Sequence, residues 1–385
     1  MKCSADAFLE REAIVTKRFR FVLPLILLAN TTAPCAVTGR QMFRKAVDAT
    51  RPASSDDRWY ALTEIAKAQA KRGYYDDALN TLKRTRQFPA QNFADIIEIR
   101  AKNGDVAGAN SMIGRAPNAE AKWWALRNLG LVQAESGDIE NARNTVLPAP
   151  PIFQQVVLRT IGFRQVQSGD LEAALRTVDE MERGEGDGIL VDVAAAFSKR
   201  GDEDRARSTL SRITDPNVIR ELNQPAKPPS SEQEQNACNI AWQEAQSGRY
   251  ASALREIEAS NCDCVVVAFV REQSGDLESA ARAVLSCSNS ANVSSGMAEL
   301  ATRAASKGDI QAALRFASSI HVSGADYEEG YLAPVQRDIA RSWASKDQRG
   351  ALKWAKSRPR GYQRAMALLG LAEGLAKDQS QPGSR

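Results

Sequence analysis

An eleven-residue stretch occurs twice in this 385-residue chain with few changes, as SGDLEAALRTV at 168–178 and as SGDLESAARAV at 274–284. Its core pattern, a glycine followed five positions later by an alanine, recurs along most of the chain. The glycines are Gly73, Gly104, Gly137, Gly169, Gly201, Gly248, Gly275 and Gly308, with Lys346 in the ninth place, and the alanines are Ala78, Ala109, Ala142, Ala174, Ala206, Ala253, Ala280, Ala313 and Ala351. Eight and seven residues before most of the glycine positions, the chain has an apolar and then a small residue. A period in the thirties predicts a row of stacked units.

The local chemistry of each unit predicts two helices joined by a tight turn. Gly169 can adopt the left-handed conformation that ends a helix, and Asp170 can accept hydrogen bonds from the first N–H groups of the next. Aspartate follows the glycine position in seven of the nine units. An acid that recurs in nearly every unit is typical of a helix cap, whereas a catalytic carboxylate would occur once or twice. Few stretches alternate with period two, so we expect almost no sheet.

One unit, LGLVQAESGDIENA at 129–142, resembles the consensus of the tetratricopeptide repeat family, with its first-helix Leu-Gly, turn glycine and second-helix alanine. The resemblance extends over roughly residues 57–376. It implies an all-α fold, a right-handed α-solenoid of about nine helix-turn-helix repeats that binds partners on its concave face. Related helical-hairpin arrays are the alternative, because several units are shorter than the family's repeat.

The N-terminal region has the composition of a secretory signal peptide. Basic residues Lys17, Arg18 and Arg20 precede the apolar run FVLPLILLA at 21–29, and small residues follow. We therefore expect residues 1–36 to be a signal peptide cleaved near Ala33 or Ala36, with a start near Val15 as one option. The run is too short for a stable membrane span, which needs about 20 residues. A core helix segment is the alternative interpretation.

The remaining chain is divided by composition. Residues 37–56 are expected to be an N-terminal linker, 57–213 repeats one to five, and 236–376 repeats six to nine. Between the two blocks, residues 214–235 are rich in proline and polar residues, which is typical of a linker. The tail 377–385 is expected to be disordered.

The family resemblance also implies which residues face a partner. On the first helix of each unit, the residues 13, 10 and 6 positions before the glycine would line the concave surface. The candidates for protein or peptide binding are Lys67, Trp124, Arg127, Arg159, Phe163, Trp242 and Phe269. Aromatic anchors interleaved with cations suit a peptide that carries acidic groups. The alternative is that the aromatic residues belong to the core.

Four cysteines, Cys238, Cys262, Cys264 and Cys287, would remain after signal-peptide cleavage. Outside the cytoplasm an even number permits two disulfides in three connectivities. We expect Cys238 to pair with Cys264, because they occupy nearly equivalent positions in successive units, and Cys262 to pair with Cys287. Free buried thiols and a metal site are the alternatives, but the Cys-Asp-Cys spacing without histidine does not suit zinc.

The sequence offers little for catalysis. The chain has one histidine, His321, and the adjacent Glu328 and Glu329 would point to different sides of a helix. No nucleophile, phosphate-loop or dinucleotide motif is present, and the glycine-rich RGEGDG at 183–188 lacks the lysine of a phosphate loop. We therefore expect neither an enzyme nor a cofactor or metal. A net charge of +4 does not suit nucleic-acid binding.

These observations favour an exported, non-catalytic scaffold, periplasmic or secreted, that binds protein or peptide partners. Two alternatives use the same architecture: a secreted factor that acts on another cell, and a cytoplasmic adaptor. The sequence leaves the oligomeric state open.

The leader is tested by the intact mass of the protein purified from its own host, with free thiols alkylated before and after reduction. We expect a chain that begins near residue 34–37 and takes up alkylating reagent on its four remaining cysteines only after reduction. A full-length chain with all six cysteines alkylated without reduction would contradict both the leader and the disulfides.

Overall fold

The computed structural model describes residues 38–223, 237–259, 262, 264–320 and 325–376, and every regular element among them is an α-helix. In chain order the helices are α1 (Gly39–Ala49), α2 (Ser55–Lys71), α3 (Tyr75–Leu82), α4 (Ala90–Lys102), α5 (Val106–Ile113), α6 (Ala119–Glu135), α7 (Ile139–Val146), α8 (Pro151–Ser168), α9 (Leu171–Asp179), α10 (Asp187–Lys199), α11 (Glu203–Leu210), α12 (Pro216–Asn223), α13 (Ala237–Gln246), α14 (Tyr250–Ala259), α15 (Cys264–Ser274), α16 (Leu277–Leu285), α17 (Ser290–Ser306), α18 (Ile310–Ser318), α19 (Ala325–Ala344), α20 (Gln348–Ser357) and α21 (Tyr362–Ala376). The expectation of an all-α chain is confirmed for this part of the sequence.

Successive helices pack in pairs, from α2 with α3 to α10 with α11, and from α13 with α14 to α19 with α20. We call the earlier member of each pair its first helix and the later member its second helix. The first helices also pack side by side from α2 to α10, and again from α13 to α19. Each pair therefore packs against at least one neighbouring pair.

The turns between paired helices are built as the sequence predicts. All eight repeat glycines have a positive φ, between 76° and 94°, a conformation that costs other residues about 1–2 kcal/mol. The aspartate that follows caps the second helix in six units; in α9, for example, Asp170 accepts a hydrogen bond from the backbone N–H of Ala173. Asp138 is the exception, because its carboxylate accepts from the side chain of Asn141 instead.

Small residues mark the places where helices approach most closely. The nine alanines of the repeat are buried, each with at most 4% of its surface exposed. At Gly162 on α8, an added methyl group would clash with Ile189 of α10. The small residue of the first helix therefore permits contact with the next pair, while the alanine lies inside its own pair.

Two segments expected to be linkers contain helices. Residues 37–56 include α1, whose N-terminus has a capping box between Thr38 and Gln41 and whose Met42 and Phe43 are fully buried. The 214–235 segment begins with α12, because Pro216 suits the first turn of a helix. Residues 1–36, the rest of the linker after residue 223, and the tail 377–385 lie outside the described residues.

Helix α1 packs against α21, at the opposite end of the described chain, and α21 also packs against α2, α19 and α20. Gly361, just before α21, donates its N–H to the carbonyl of Ala49 at the end of α1, 3.2 Å away. The two terminal helices are therefore antiparallel neighbours.

The buried alanine gives a direct test of the helix pairing. Ala109 of α5 is fully buried and Ala107 of the same helix is exposed. We expect Ala109→Leu to lower the free energy of unfolding by about 1–3 kcal/mol through overpacking, measured by urea denaturation. Ala107→Leu should change it by about 0.5 kcal/mol or less. Equal effects of the two variants would contradict the pairing.

Candidate binding surface

The candidate binding residues all lie on first helices. Lys67 is on α2, Trp124 and Arg127 are on α6, Arg159 and Phe163 are on α8, Trp242 is on α13, and Phe269 is on α15. Because first helices pack side by side, the candidates follow the line of contact between neighbouring pairs. The structure thus groups them by block, with Trp242 and Phe269 together.

Polar bridges connect neighbouring first helices in the first block. The ammonium nitrogen of Lys67 lies 2.9 Å from a carboxylate oxygen of Asp95 on α4. One helix further on, Asn128 donates to Glu98 at 3.1 Å and accepts from Arg127 at 3.0 Å. Lys67 and Arg127 therefore already have intramolecular partners.

Arg159 is similarly engaged, because its guanidinium forms an ion pair with Glu185 in the RGEGDG turn. Both side chains are nearly half exposed, so the pair contributes at most about 1 kcal/mol. Asp187 in the same turn is buried and accepts from the backbone N–H groups of Thr214 and Asp215 at 2.9 and 2.7 Å. Both acids of this segment therefore have partners within the chain.

The aromatic candidates of the first block have the contacts of packing residues. Trp124 meets Phe153 edge to face, with ring centroids 5.2 Å apart, and Arg127 lies over the indole at 5.3 Å. Phe163 is partly buried against the cluster that contains Leu171 and Ile189. Their exposed surface is limited in both cases.

The second block presents a different surface. Trp242 and Phe269 stack nearly parallel, with centroids 3.8 Å apart and 17° between the planes. Next to this stack, a cavity of about 140 Å³ is lined by both aromatic rings together with Glu272 and Glu299. We call this cavity the aromatic pocket. It combines apolar walls with two acidic groups.

Glu272 is the buried acid of the aromatic pocket, with 4% of its side chain exposed. It forms an ion pair with Arg303 without a well-aligned hydrogen bond. Burial and then the charge of Glu299 raise the pKa of Glu272, and the opposing charge of Arg303 does not offset them. The pocket therefore holds two acids, whose charge is opposed by Arg303 and Lys307. Neither acid lies at a position that the repeat pattern compares between units, so the sequence did not indicate them.

The four cysteines form two disulfides, Cys238–Cys262 and Cys264–Cys287, with Cα atoms 5.4 Å apart in each. The expected pairs, Cys238 with Cys264 and Cys262 with Cys287, are wrong. Each disulfide joins the start of a first helix to a residue two or three positions after the second helix of the same pair, α13/α14 or α15/α16. Antiparallel helices bring these two ends together, and the sequence separations of 24 and 23 reflect this shared geometry.

Among the described residues no group of three or more histidine, cysteine, aspartate or glutamate side chains is placed to hold a metal ion. His321 lies outside the described residues. No helix in the described ranges is long and apolar enough to cross a membrane.

No protein-family model matches the chain, and no curated protein matches it significantly.

The disulfide pairing is tested by digesting the unreduced protein with trypsin and with a protease that cuts before aspartate. Cleavage before Asp263 separates Cys262 from Cys264, and arginines separate the members of each pair. We expect one linked peptide that contains Cys238 and Cys262 and another that contains Cys264 and Cys287. A peptide linking Cys238 to Cys264 would contradict this geometry.

Proposed function

We propose that the protein is an exported, non-catalytic scaffold that binds protein or peptide partners through the first helices of its helix pairs. In this proposal the pairs are tetratricopeptide-like repeats stacked into a right-handed solenoid, about nine in the sequence. The glycine turns, the buried alanines and the side-by-side first helices support it. Stacked repeats of this kind present extended surfaces suited to peptides.

The aromatic pocket is the observation that carries the binding proposal. A stacked Trp242 and Phe269 beside a cavity is the kind of preformed aromatic site that anchors a partner side chain. The indole and phenyl faces attract cations, and Glu272 and Glu299 add negative charge. We therefore expect the anchor to be an arginine or lysine side chain on an otherwise apolar peptide.

The cations of the first block support this choice of partner. Lys67, Arg127 and Arg159 are each engaged by an acid, an amide or an aromatic ring of the chain itself. An acidic peptide would have to displace these partners, whereas a cationic side chain can lie against the aromatic rings and the two carboxylates of the aromatic pocket. A basic anchor is therefore favoured over the acidic partner that the cations suggest in sequence.

Export is supported by the two disulfides, because such bonds persist in oxidising compartments. A periplasmic or secreted location follows in this proposal, together with the signal peptide at 1–36. A factor that acts on another cell would use the same surface, and a cytoplasmic adaptor would require the four cysteines to be reduced.

An array of 12-residue peptides tests the pocket. The central position carries arginine, citrulline, alanine or glutamate in a constant leucine- and serine-rich context. Arginine peptides should bind best, because citrulline keeps the shape but loses the charge. Trp242→Ala should weaken their binding about 30-fold, which is the size of a hot-spot loss near 2 kcal/mol.

Trp59→Ala is the matched control, because Trp59 lies on α2 and stacks edge to face on Tyr60, in the other block. It should leave the affinity unchanged. Equal binding of arginine and glutamate peptides, or equal losses in the two tryptophan variants, would refute the pocket as the anchor site.

A further inference from the structure

We infer that α21 and α1 are the first and second helices of one hairpin that is split between the two ends of the chain. The row of helix pairs is then continuous through the contact of α21 with α1. The ends of the row in space are the pairs α10/α11 and α13/α14, on either side of residues 224–236. One surface of first helices consequently runs from the second block into the first. Only the binding of partners to this surface rests on the proposed function.

The sequence register supports the split hairpin. On α21, Leu369, Gly370 and Leu371 repeat the Leu-Gly-Leu of first helix α6 at 129–131. On α1, the buried Ala46 precedes Ile65 by 19 residues, the same separation that the repeat alanines Ala142 and Ala174 keep from the next first helix. Helix α21 therefore has the pattern of a first helix and α1 has that of a second helix, and within residues 38–376 neither has its partner next to it in sequence.

The packing of α21 matches that of an ordinary first helix. Helix α8, for comparison, packs against its own second helix α9, the preceding pair α6/α7 and the following first helix α10. Helix α21 packs against α1 in place of a second helix, against the preceding pair α19/α20, and against α2 as the following first helix. At Gly370 an added methyl group would clash with the backbone of Arg337, so α21 lies directly against α19 of the preceding pair.

A buried arginine connects the three first helices at this junction. Arg337 on α19 donates to the Glu373 carboxylate on α21 and to the Glu64 carboxylate on α2, with N–O distances of 2.9 Å. Arg72, after α2, also donates to the backbone carbonyl of Glu373 at 2.9 Å. Burial opposes the charge of Arg337, but Glu373 and then Glu64 outweigh it and raise the pKa of Arg337.

This arrangement resembles the bridges within the first block, where Lys67 pairs with Asp95 on the next first helix. The junction differs from those bridges in that its two helices, α21 and α1, are not consecutive in the chain. If they form one hairpin, the two halves of the chain should stay together after the chain is cut between its blocks. Both disulfides lie in the second block, so no covalent bond would join the halves after cleavage.

The experiment uses the mature chain with a recognition sequence for a site-specific protease in place of residues 226–232. After cleavage at micromolar concentration, we expect the two fragments to co-elute at the volume of the uncut protein, with the monomer mass by light scattering. They should unfold in one transition. Fragments that separate at the same concentration while each remains helical by circular dichroism would overturn the inference.

Matched variants locate the contact. Ala46→Glu places a charge in the buried approach of α1 to α21, and Ala107→Glu makes the same change at an exposed position of α5 in the same fragment. After cleavage, Ala46→Glu should weaken association of the fragments at least 10-fold, whereas Ala107→Glu should leave it unchanged. If Ala46→Glu fails to fold uncut, the elution of the cleaved parent protein alone decides. Peptide binding enters none of these measurements, so failure of the proposed function would leave their outcome untouched.

Discussion

The structure depends on covering the apolar face of each helical hairpin, because a unit of about thirty residues cannot bury that face alone. Inside the row, the next pair supplies the cover. At the two ends of the described chain, α1 has no preceding helix and α21 no following helix among the described residues. Phe43 and Ala46 of α1 and Leu369 of α21 are completely buried, and α1 packs against α21, so the same requirement that stacks the pairs also joins these two helices.

Charge pairing follows the same line of contact between first helices. Lys67 with Asp95 and Arg337 with Glu373 and Glu64 each bridge neighbouring first helices. Exposed pairs of this kind stabilise little, whereas Arg337 is largely buried, and removing both acids would leave its charge uncompensated. The pair of Glu272 on α15 with Arg303 on α17 is a second largely buried bridge, so the junction and the interior of the row use the same device.

Local chemistry made much of this fold predictable. The left-handed turn glycines, the aspartate caps and the buried alanines depend on residues a few positions apart, and the structure has them where the sequence places them. The disulfide connectivity and the contact of α1 with α21 depend on which distant residues meet. Equivalent positions in successive units suggested Cys238 with Cys264, but the open end of one hairpin brings Cys238 to Cys262. Residues 37–56 looked like a linker because α1 lacks a preceding first helix, although the spacing from Ala46 to Ile65 carries the repeat register.

The candidate surface shows why residue types alone are a weak guide to a partner. In sequence, Lys67, Arg127 and Arg159 suggest an acidic ligand, yet each already has a partner within the chain. An acidic ligand would have to replace that partner, so the interaction that is lost offsets the interaction that is gained. Glu272 is an acid whose residue type is also incomplete as a guide: burial and then Glu299 raise its pKa, although Arg303 lies against it. Because a ligand is attracted by the charge that remains after internal pairing, the balance of Glu272 and Glu299 against Arg303 and Lys307 decides the sign of the partner beside Trp242 and Phe269.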